Sequence, residues 1–534
     1  MRLREATKIA VQYQNKKLYD MNTLESFADL RLLLLCFAAF AVTACGQQDE
    51  VATEAVDEGA AAEMTRSEKV PVTTSSDEAR ALYDEGLALA DNLHFVEANE
   101  VFAKAVGADP GFAMGYFRLA QTSQTAAAFF RAVGMAEDNA ANSTEGEQLY
   151  IRALIAFAEN DQAAQLDAIS SLLRMYPKDE RTHLQLANYH NAQQNFAEAI
   201  KHFEHATSIN PEFASAFNSL GYARRGNGDL DGAKVAFARY VELIPDEANP
   251  YDSYAELLME MGEYDESIAN YRKALEQDSN FPSAYAGISI NESLKGNYDG
   301  AQAAAEEMLA AARTEGEKRG AKFRSLTAHL IAGNREAAHA VAEEIYAMAS
   351  AEGNYAAMGG ISEYMGDVMA SSGESAKALE YYENALKHRQ ESNVNDANKA
   401  QAERTFLFKA AIAAMVGGDH ETAAARAAEY TAAAEADGTA SERRRIHEIA
   451  GYLAGADGDN DASAAELAQA SQFDPIVLYW AAVANKNIGN EDKAVELASQ
   501  AAYRNTLSLN LPIFRAEALT LLEELENTEG MEAE

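Results

Sequence analysis

The chain has 534 residues and carries 84 acidic against 44 basic side chains, a formal net charge of −40. Such a surface repels phosphate backbones, so nucleic acid is a poor candidate partner. The charge is typical of a soluble, self-repelling surface, although an acidic groove for basic peptides stays open as an alternative. Both cysteines, Cys36 and Cys45, lie near the N-terminus, so the rest of the chain has no disulfide framework and no thiolate metal site. Abundant alanine and only nine prolines favour helix.

The N-terminus has the form of a targeting segment. Residues 32–44 are a 13-residue apolar run after Arg31. The run is too short to span a bilayer, but it has the length of a signal-peptide core. It ends in Val42, Thr43 and Ala44 before Cys45, a sequence that resembles a bacterial lipobox.

This resemblance implies that residues 1–44 are a signal peptide and that Cys45 is the site of lipid attachment, including palmitate. Gly46 is not the aspartate that retains many such lipoproteins in the inner membrane. We therefore expect attachment to the outer membrane of a Gram-negative bacterium, facing the periplasm. An ordinary secretory signal with its cut near a cysteine is the alternative. Met21 is a plausible true start, because residues 1–20 make the leader unusually long.

The segment after the cysteine has no apolar periodicity. Residues 46–77 hold eight acidic and two basic side chains among many Ala, Thr and Ser. We predict that residues 45–78 form a lipidated cysteine and a disordered acidic tether.

A sequence pattern of about 34 residues repeats from Ala79 onwards. It holds its register over seven units, which begin at residues 79, 113, 146, 180, 214, 248 and 282. Position 8 is small in every unit, position 20 is small in six of the seven, and position 24 is mostly large and apolar. Small residues let two antiparallel helices approach closely, and the large residue fills the space between them.

This pattern resembles the tetratricopeptide repeat family. In the fifth unit, Gly221, Ala233, Phe237 and Pro245 stand at the spacing of that family. Five less regular units follow near residues 318, 359, 404, 444 and 475, and their uneven spacing predicts longer loops, for example around residues 387–400.

The resemblance implies an all-α, right-handed superhelical solenoid of about 12 antiparallel helix pairs. We expect a regular array over residues 79–313, a divergent array over residues 314–505, and a capping helix with an acidic tail over residues 506–534.

Four of the ten histidines fall in the fourth unit: His183, His190, His202 and His205. His202 and His205 stand three residues apart on one predicted helix, a spacing compatible with a shared metal. His183 and His190 occupy positions where the repeat family packs aromatic residues between helices. We therefore expect packing here, and no metal.

Catalytic motifs are missing from the sequence. Phosphate-binding, dinucleotide-binding and nucleophile-elbow motifs do not occur in a strand–turn–helix context. We therefore expect no catalytic residues, no cofactor and no enzymatic activity. An enzyme would instead show a convergent polar cluster with shifted pKa values.

In the repeat family the first helix of each unit lines a concave groove. The matching positions give a candidate peptide groove of Phe117, Gln121, Asn188, Asn218, Tyr222, Arg225, Asp252 and Glu256. Polar and aromatic side chains there could bind an extended peptide, although solvated helix faces are the plainer interpretation.

The leading interpretation is an envelope scaffold that binds proteins or peptides and assists the assembly of outer-membrane or pilus machinery. The alternative is a periplasmic receptor-like module for a glycan, peptidoglycan or a small ligand. That alternative predicts a compact aromatic pocket, yet Trp480 is the only tryptophan.

Overall fold

The computed structural model describes residues 68–123, 126–159, 161–392, 396–437, 439–503 and 508–532. Within these ranges the chain forms twenty-five α-helices, one short 3₁₀ turn at Ala140–Asn142 and no strand. The predicted all-α class is therefore confirmed. Residues 1–67, with the proposed signal segment, Val42, Thr43, Ala44 and Cys45, lie outside the described residues.

The helices form twelve consecutive antiparallel pairs and one final helix. The first seven pairs are α1 (Asp77–Asp91) and α2 (Phe95–Ala108), α3 (Ala113–Gln121) and α4 (Ala126–Asn139), α5 (Glu145–Ala158) and α6 (Gln162–Met175), α7 (Glu180–Ala192) and α8 (Phe196–Ile209), α9 (Ala214–Gly226) and α10 (Leu230–Leu243), α11 (Ala248–Glu260) and α12 (Tyr264–Gln277), and α13 (Pro282–Leu294) and α14 (Tyr298–Ala311).

Five further pairs and the final helix complete the described chain. They are α15 (Glu315–Ile331) and α16 (Arg335–Ala351), α17 (Tyr355–Ser371) and α18 (Ser375–Glu391), α19 (Asp396–Val416) and α20 (His420–Asp437), α21 (Ala440–Ala456) and α22 (Asn460–Leu467), α23 (Pro475–Asn487) and α24 (Glu491–Tyr503), and the final α25 (Leu511–Glu532).

Close contact between the two helices of a pair depends on the small residue at position 8. A Cβ built on Gly221 of α9 would lie 2.6 Å from Cε1 of Phe237, which is fully buried on α10. Gly86 of α1 stands in the same relation to Phe102 of α2, also at 2.6 Å. The small residue at position 8 of the repeat therefore indicates a direct contact between the two helices of a pair.

The turn within a pair uses glycine and a capping side chain. Gly228, between α9 and α10, has a φ of +82°, which glycine adopts at no steric cost. The Asp229 carboxylate then accepts the backbone N–H of Gly232 at 2.9 Å and caps α10. A sharp reversal followed at once by a capped helix keeps the two helices adjacent.

The eighth, ninth and tenth pairs are longer because their helices are longer, whereas α22 has 8 residues and α23 and α24 have 13 each. Each of α15 to α18 has 17 residues, against 13 in α9, α11 and α13. Helix α18 runs to Glu391 and α19 begins at Asp396, so the predicted long loop around residues 387–400 is wrong. Four added residues make about one helical turn, so the apolar stripe keeps facing the neighbouring helix.

The final helix does more than cover the last pair. Helix α25 packs against α23 and α24, and it also contacts α15 and α17. At its start, Leu511 is buried beside Met259, Ile290 and Leu294 of the sixth and seventh pairs. The prediction that α25 only caps the last pair is corrected, because apolar residues at the start of α25 are buried against pairs that are distant in sequence.

A second correction concerns the proposed tether. Residues 68–76 are not disordered but form a non-helical segment bound to the first, third and fourth pairs, called the strap below. Helix α1 follows the strap directly at Asp77, capped by the Ser76 side chain.

Gly221→Ala tests the helix contact. The added methyl group must displace the Phe237 ring, so we expect a loss of about 1–3 kcal/mol in the free energy of unfolding. Gly134→Ala in α4 is the matched control: its Cβ meets nothing within 4 Å, and we expect a gain of about 0.4–1 kcal/mol. Urea unfolding followed by circular dichroism measures both changes. Equal effects at the two positions would contradict the packing argument.

Candidate functional site

The array binds the backbone of the strap through carboxylates. The Val70 N–H donates to Asp179 Oδ2 at 2.8 Å, and the Thr73 N–H donates to Glu147 Oε1 at 2.6 Å. Glu147 is fully buried and Asp179 is nearly so. Buried carboxylates that accept backbone N–H groups form charge-assisted hydrogen bonds, which hold this segment in one register.

The remaining strap contacts extend the same pattern. Asp109 accepts the Thr74 hydroxyl at 2.6 Å and the Ser75 N–H at 3.0 Å. The Thr74 hydrogen bond is the main reason that the pKa of Asp109 lies below its usual value. At the other end, Lys69 donates to Glu180 at 2.7 Å. The first, third and fourth pairs of the array therefore contact one continuous peptide.

Four of the predicted groove residues belong to one largely half-buried polar cluster. The Tyr222 hydroxyl donates to Glu256 Oε2 at 3.1 Å, and Arg225 lies 3.3 Å from the same oxygen. Arg225 also donates to Glu260 at 2.5 Å. Burial, and then the charge of Glu256, raise the pKa of Tyr222 well above its usual value. We call Tyr222, Arg225, Asp252, Glu256 and Glu260 the groove cluster.

The groove cluster is acidic in balance. It contains one arginine and three carboxylates, and Asp252 is only 6% exposed. Asp252 also contributes to the raised pKa of Tyr222 through its charge. The cluster therefore favours groups that bring N–H donors or positive charge.

The other predicted groove residues do not join this cluster. Phe117 is 2% exposed, with its ring 5.4 Å from that of Tyr150, so it is a core residue rather than a groove residue. Its place in the groove is therefore corrected, because an aromatic side chain here fills the contact between adjacent pairs. Gln121 accepts a hydrogen bond from Arg118, Asn188 is exposed, and Asn218 is half-buried.

A second polar cluster, which the sequence did not indicate, lines the first helices of the ninth to twelfth pairs. Lys409 donates to Asp367 at 2.7 Å, and Tyr452 donates to Glu448 at 3.1 Å. Burial, and then the charge of Asp474, raise the pKa of Glu448 to about 7. These residues share no motif, because they come from helices that are adjacent only in the folded array. A shifted carboxyl group alone does not define a catalytic site.

The four histidines of the fourth pair lie together. His183 Nδ1 is 3.2 Å from His202 Nδ1, and the ring centroids of His183 and His205 are 5.1 Å apart. The rings of His190 and His202 stack, with centroids 6.1 Å apart. The sequence expectation of packing is correct for His183, which is 7% exposed, whereas the other three retain contact with solvent.

The alternative of a small-ligand receptor calls for a compact aromatic pocket. A cleft of about 270 Å³ lies between α18, α19 and α20, and Phe406 is the one aromatic residue among those that line it. Ligand pockets usually measure about 300–1,000 Å³. Trp480 lies elsewhere, on α23, 37% exposed beside Tyr479.

The described helices were also compared with the length and hydropathy of a membrane span. Within the described ranges, no helix combines the length and the apolar composition that crossing a bilayer requires.

Comparison with known proteins identifies the repeats. The model described as "Tetratricopeptide repeat" matches residues 180–213, which are the fourth pair, and the model described as "TPR repeat" matches residues 255–288. The chain therefore contains tetratricopeptide repeats, as predicted, although the two matches together cover well under half of it.

Individual relatives are distant. A 116-residue segment is 22% identical to the "Small glutamine-rich tetratricopeptide repeat-containing protein 2" of Saccharomyces cerevisiae and spans 22% of this chain and 34% of the yeast protein.

Two solved structures that resemble the chain are also distant from it in sequence. A tetratricopeptide repeat protein from Parabacteroides merdae is 14% identical, with a TM-score of 0.36, over 49% of this chain and 98% of that one. The Cut9–Hcn1 structure of the APC/C is 15% identical, with a TM-score of 0.35, over 81% of this chain and 78% of that one. The fold assignment rests on the helix pairs themselves.

The histidines predict a specific pH dependence. Burial lowers the pKa of His183, His190 and His202, in the last case to about 4. Their stabilising contribution is therefore complete above pH 6.5, the unfolded value, and is lost as the pH falls towards 4. For His202 we expect a loss on the order of 1 kcal/mol, less than the full linkage value because the ring is partly exposed.

The measurement is urea unfolding at several pH values. A chelator is present so that no metal ion binds the histidines during the measurement. His202→Gln should flatten the decline between pH 6.5 and 4 relative to the wild type. His420→Gln, at an exposed histidine on α20 outside the cluster, is the substitution control measured beside it. Parallel curves for the wild type and His202→Gln would contradict the assignment.

Proposed function

We propose that this protein is a lipoprotein anchored through Cys45 in the outer membrane and facing the periplasm. In this position it binds protein or peptide partners along its repeat array and assists the assembly of envelope machinery. The anchor is supported by the lipobox-like sequence from Val42 to Cys45. The binding role is supported by the tetratricopeptide repeats, a fold whose stacked helices expose long surfaces.

The strap is the observation that carries the binding role. The array already binds one peptide, residues 68–76, by accepting its backbone N–H groups on Glu147 and Asp179. Backbone hydrogen bonds give affinity with little dependence on sequence, and flanking contacts such as Lys69 with Glu180 add selectivity. A partner peptide would be bound in the same manner.

The groove cluster is the proposed binding surface for the partner. Its three carboxylates face one arginine, so a segment that brings Lys, Arg or free N–H groups complements it. Tyr222 provides a ring and a hydroxyl group together, as is common at peptide-binding surfaces. The partner class is therefore an extended or helical segment with basic side chains.

Cys45→Ser tests the anchor. The thiol is the acceptor of the diacylglycerol, so cells that express this variant should incorporate no labelled palmitate into the protein, while the wild type is labelled. Cys36→Ser is the matched control and should be labelled like the wild type, because Cys36 lies before the proposed cleavage point. Continued labelling of Cys45→Ser would refute lipidation at this residue.

The double variant Tyr222→Phe and Glu256→Gln tests the groove cluster. Mild crosslinking and affinity purification from detergent-solubilised membranes should recover partners of the wild type. The variant should recover them about tenfold less, because a charge-assisted hydrogen bond contributes about 1.5–3 kcal/mol.

Glu307→Gln, which removes an exposed ion pair with Arg272 on the same array, should leave recovery unchanged. Circular dichroism checks that each variant is folded. Failure to recover any protein from the wild type, or equal recovery by all forms, would count against the scaffold role.

A further inference from the structure

The histidine cluster of the fourth pair has a feature that packing alone does not require. His183 Nε2 lies 3.0 Å from the carbonyl oxygen of Pro177. A carbonyl only accepts hydrogen bonds, so Nε2 carries the hydrogen and Nδ1 presents a lone pair. A backbone carbonyl that fixes the far nitrogen is the usual outer-shell partner of a metal-binding histidine.

The lone pair of His183 points towards a second possible ligand. His183 Nδ1 and His202 Nδ1 are 3.2 Å apart and share a hydrogen bond in which the N–H of His202 Nδ1 donates to His183 Nδ1. A metal ion bound between the two nitrogens would take the place of that hydrogen. Two imidazole nitrogens bound to one tetrahedral zinc ion at ~2.0–2.1 Å would lie roughly 3.3–3.4 Å apart. The separation of these two nitrogens therefore already matches a shared ion, with a shift of only a few tenths of an ångström.

A third donor lies close by. The ring centroid of His205 is 5.1 Å from that of His183 and 6.4 Å from that of His202. Among the described residues, no three donor atoms converge on one point as the side chains lie. His205 is exposed, so burial does not hold its ring in one rotamer, and the site requires this ring to turn towards the two Nδ1 atoms.

The electrostatic surroundings suit a cation. Imidazole binds a metal ion in its neutral form, and carboxylates near the rings favour the positive charge of the ion. Glu198, one turn before His202, and Asp179, at the start of α7, both act on these rings through their negative charge. The Glu198 charge is partly offset by Lys201, at 2.5 Å.

We propose that the fourth pair binds one divalent transition-metal ion through His183 Nδ1, His202 Nδ1 and the ring of His205. Imidazole ligands without thiolate favour Zn²⁺, Ni²⁺ or Cu²⁺ over Mg²⁺ or Ca²⁺. The ion joins α7 to α8, so its binding stabilises the folded fourth pair. This proposal is independent of lipidation at Cys45 and of the peptide partner.

The test uses the full chain with Cys36→Ser and Cys45→Ser, so that no thiolate competes for the ion. After treatment with a chelator, the protein is titrated with Zn²⁺ in a calorimeter and with Co²⁺ in an absorption spectrometer. We expect one ion per chain, a visible Co²⁺ band of the tetrahedral type, and a higher midpoint of thermal unfolding with Zn²⁺.

Variants separate this site from adventitious binding. His183→Gln, His202→Gln and His205→Gln should each weaken Zn²⁺ binding at least tenfold, whereas His329→Gln on α15 should not change it. Because His205 is exposed, His205→Gln keeps the fold intact and remains informative if the buried variants unfold. The absence of stoichiometric binding, or unchanged affinity in His205→Gln and His202→Gln, would overturn the proposal.

Discussion

The close contact between a small residue on one helix and a large residue on the next governs this molecule. Where Gly221 faces Phe237, the two helices can approach only because one of them has no side chain. Repetition of that contact every 34 residues or so sets the separation of the helices in each pair. Each pair then exposes an apolar face that only the next pair can cover, so the array grows by stacking.

Stacking also explains where the polar groups of interest lie. Tyr222 and Arg225 come from α9, and Glu256 and Glu260 come from α11, so the groove cluster exists only between successive pairs. The strap uses the same principle, because it contacts carboxylates from three different pairs. Histidines 183 and 202 meet within one pair because two antiparallel helices bring them together. A binding surface of this kind belongs to the array and to no single helix.

The local sequence pattern was sufficient to predict much of the fold. All seven regular units start within two residues of their first helices, and five of them start at the same residue, because glycine, alanine and proline act on the backbone directly. The divergent half was harder to predict. The helices of the eighth to tenth pairs are longer by about one turn or more, and a pattern fixed at 34 residues predicts loop where these extra residues continue the helix. Phe117 is predicted to line the groove but lies in the core, because its position in the repeat does not indicate whether the side chain is buried between pairs.

The sequence by itself determined the all-helical class, the pairing of neighbouring helices and the acidic charge, because these depend on residues close together in the chain. Only the tertiary structure decided that the strap lies on three pairs, that Leu511 is buried on pairs distant in sequence, and that the charge of Asp474 acts on Glu448. Those contacts join residues that no periodicity relates. Their free energy comes from burial and from hydrogen bonds that form only once the array has stacked.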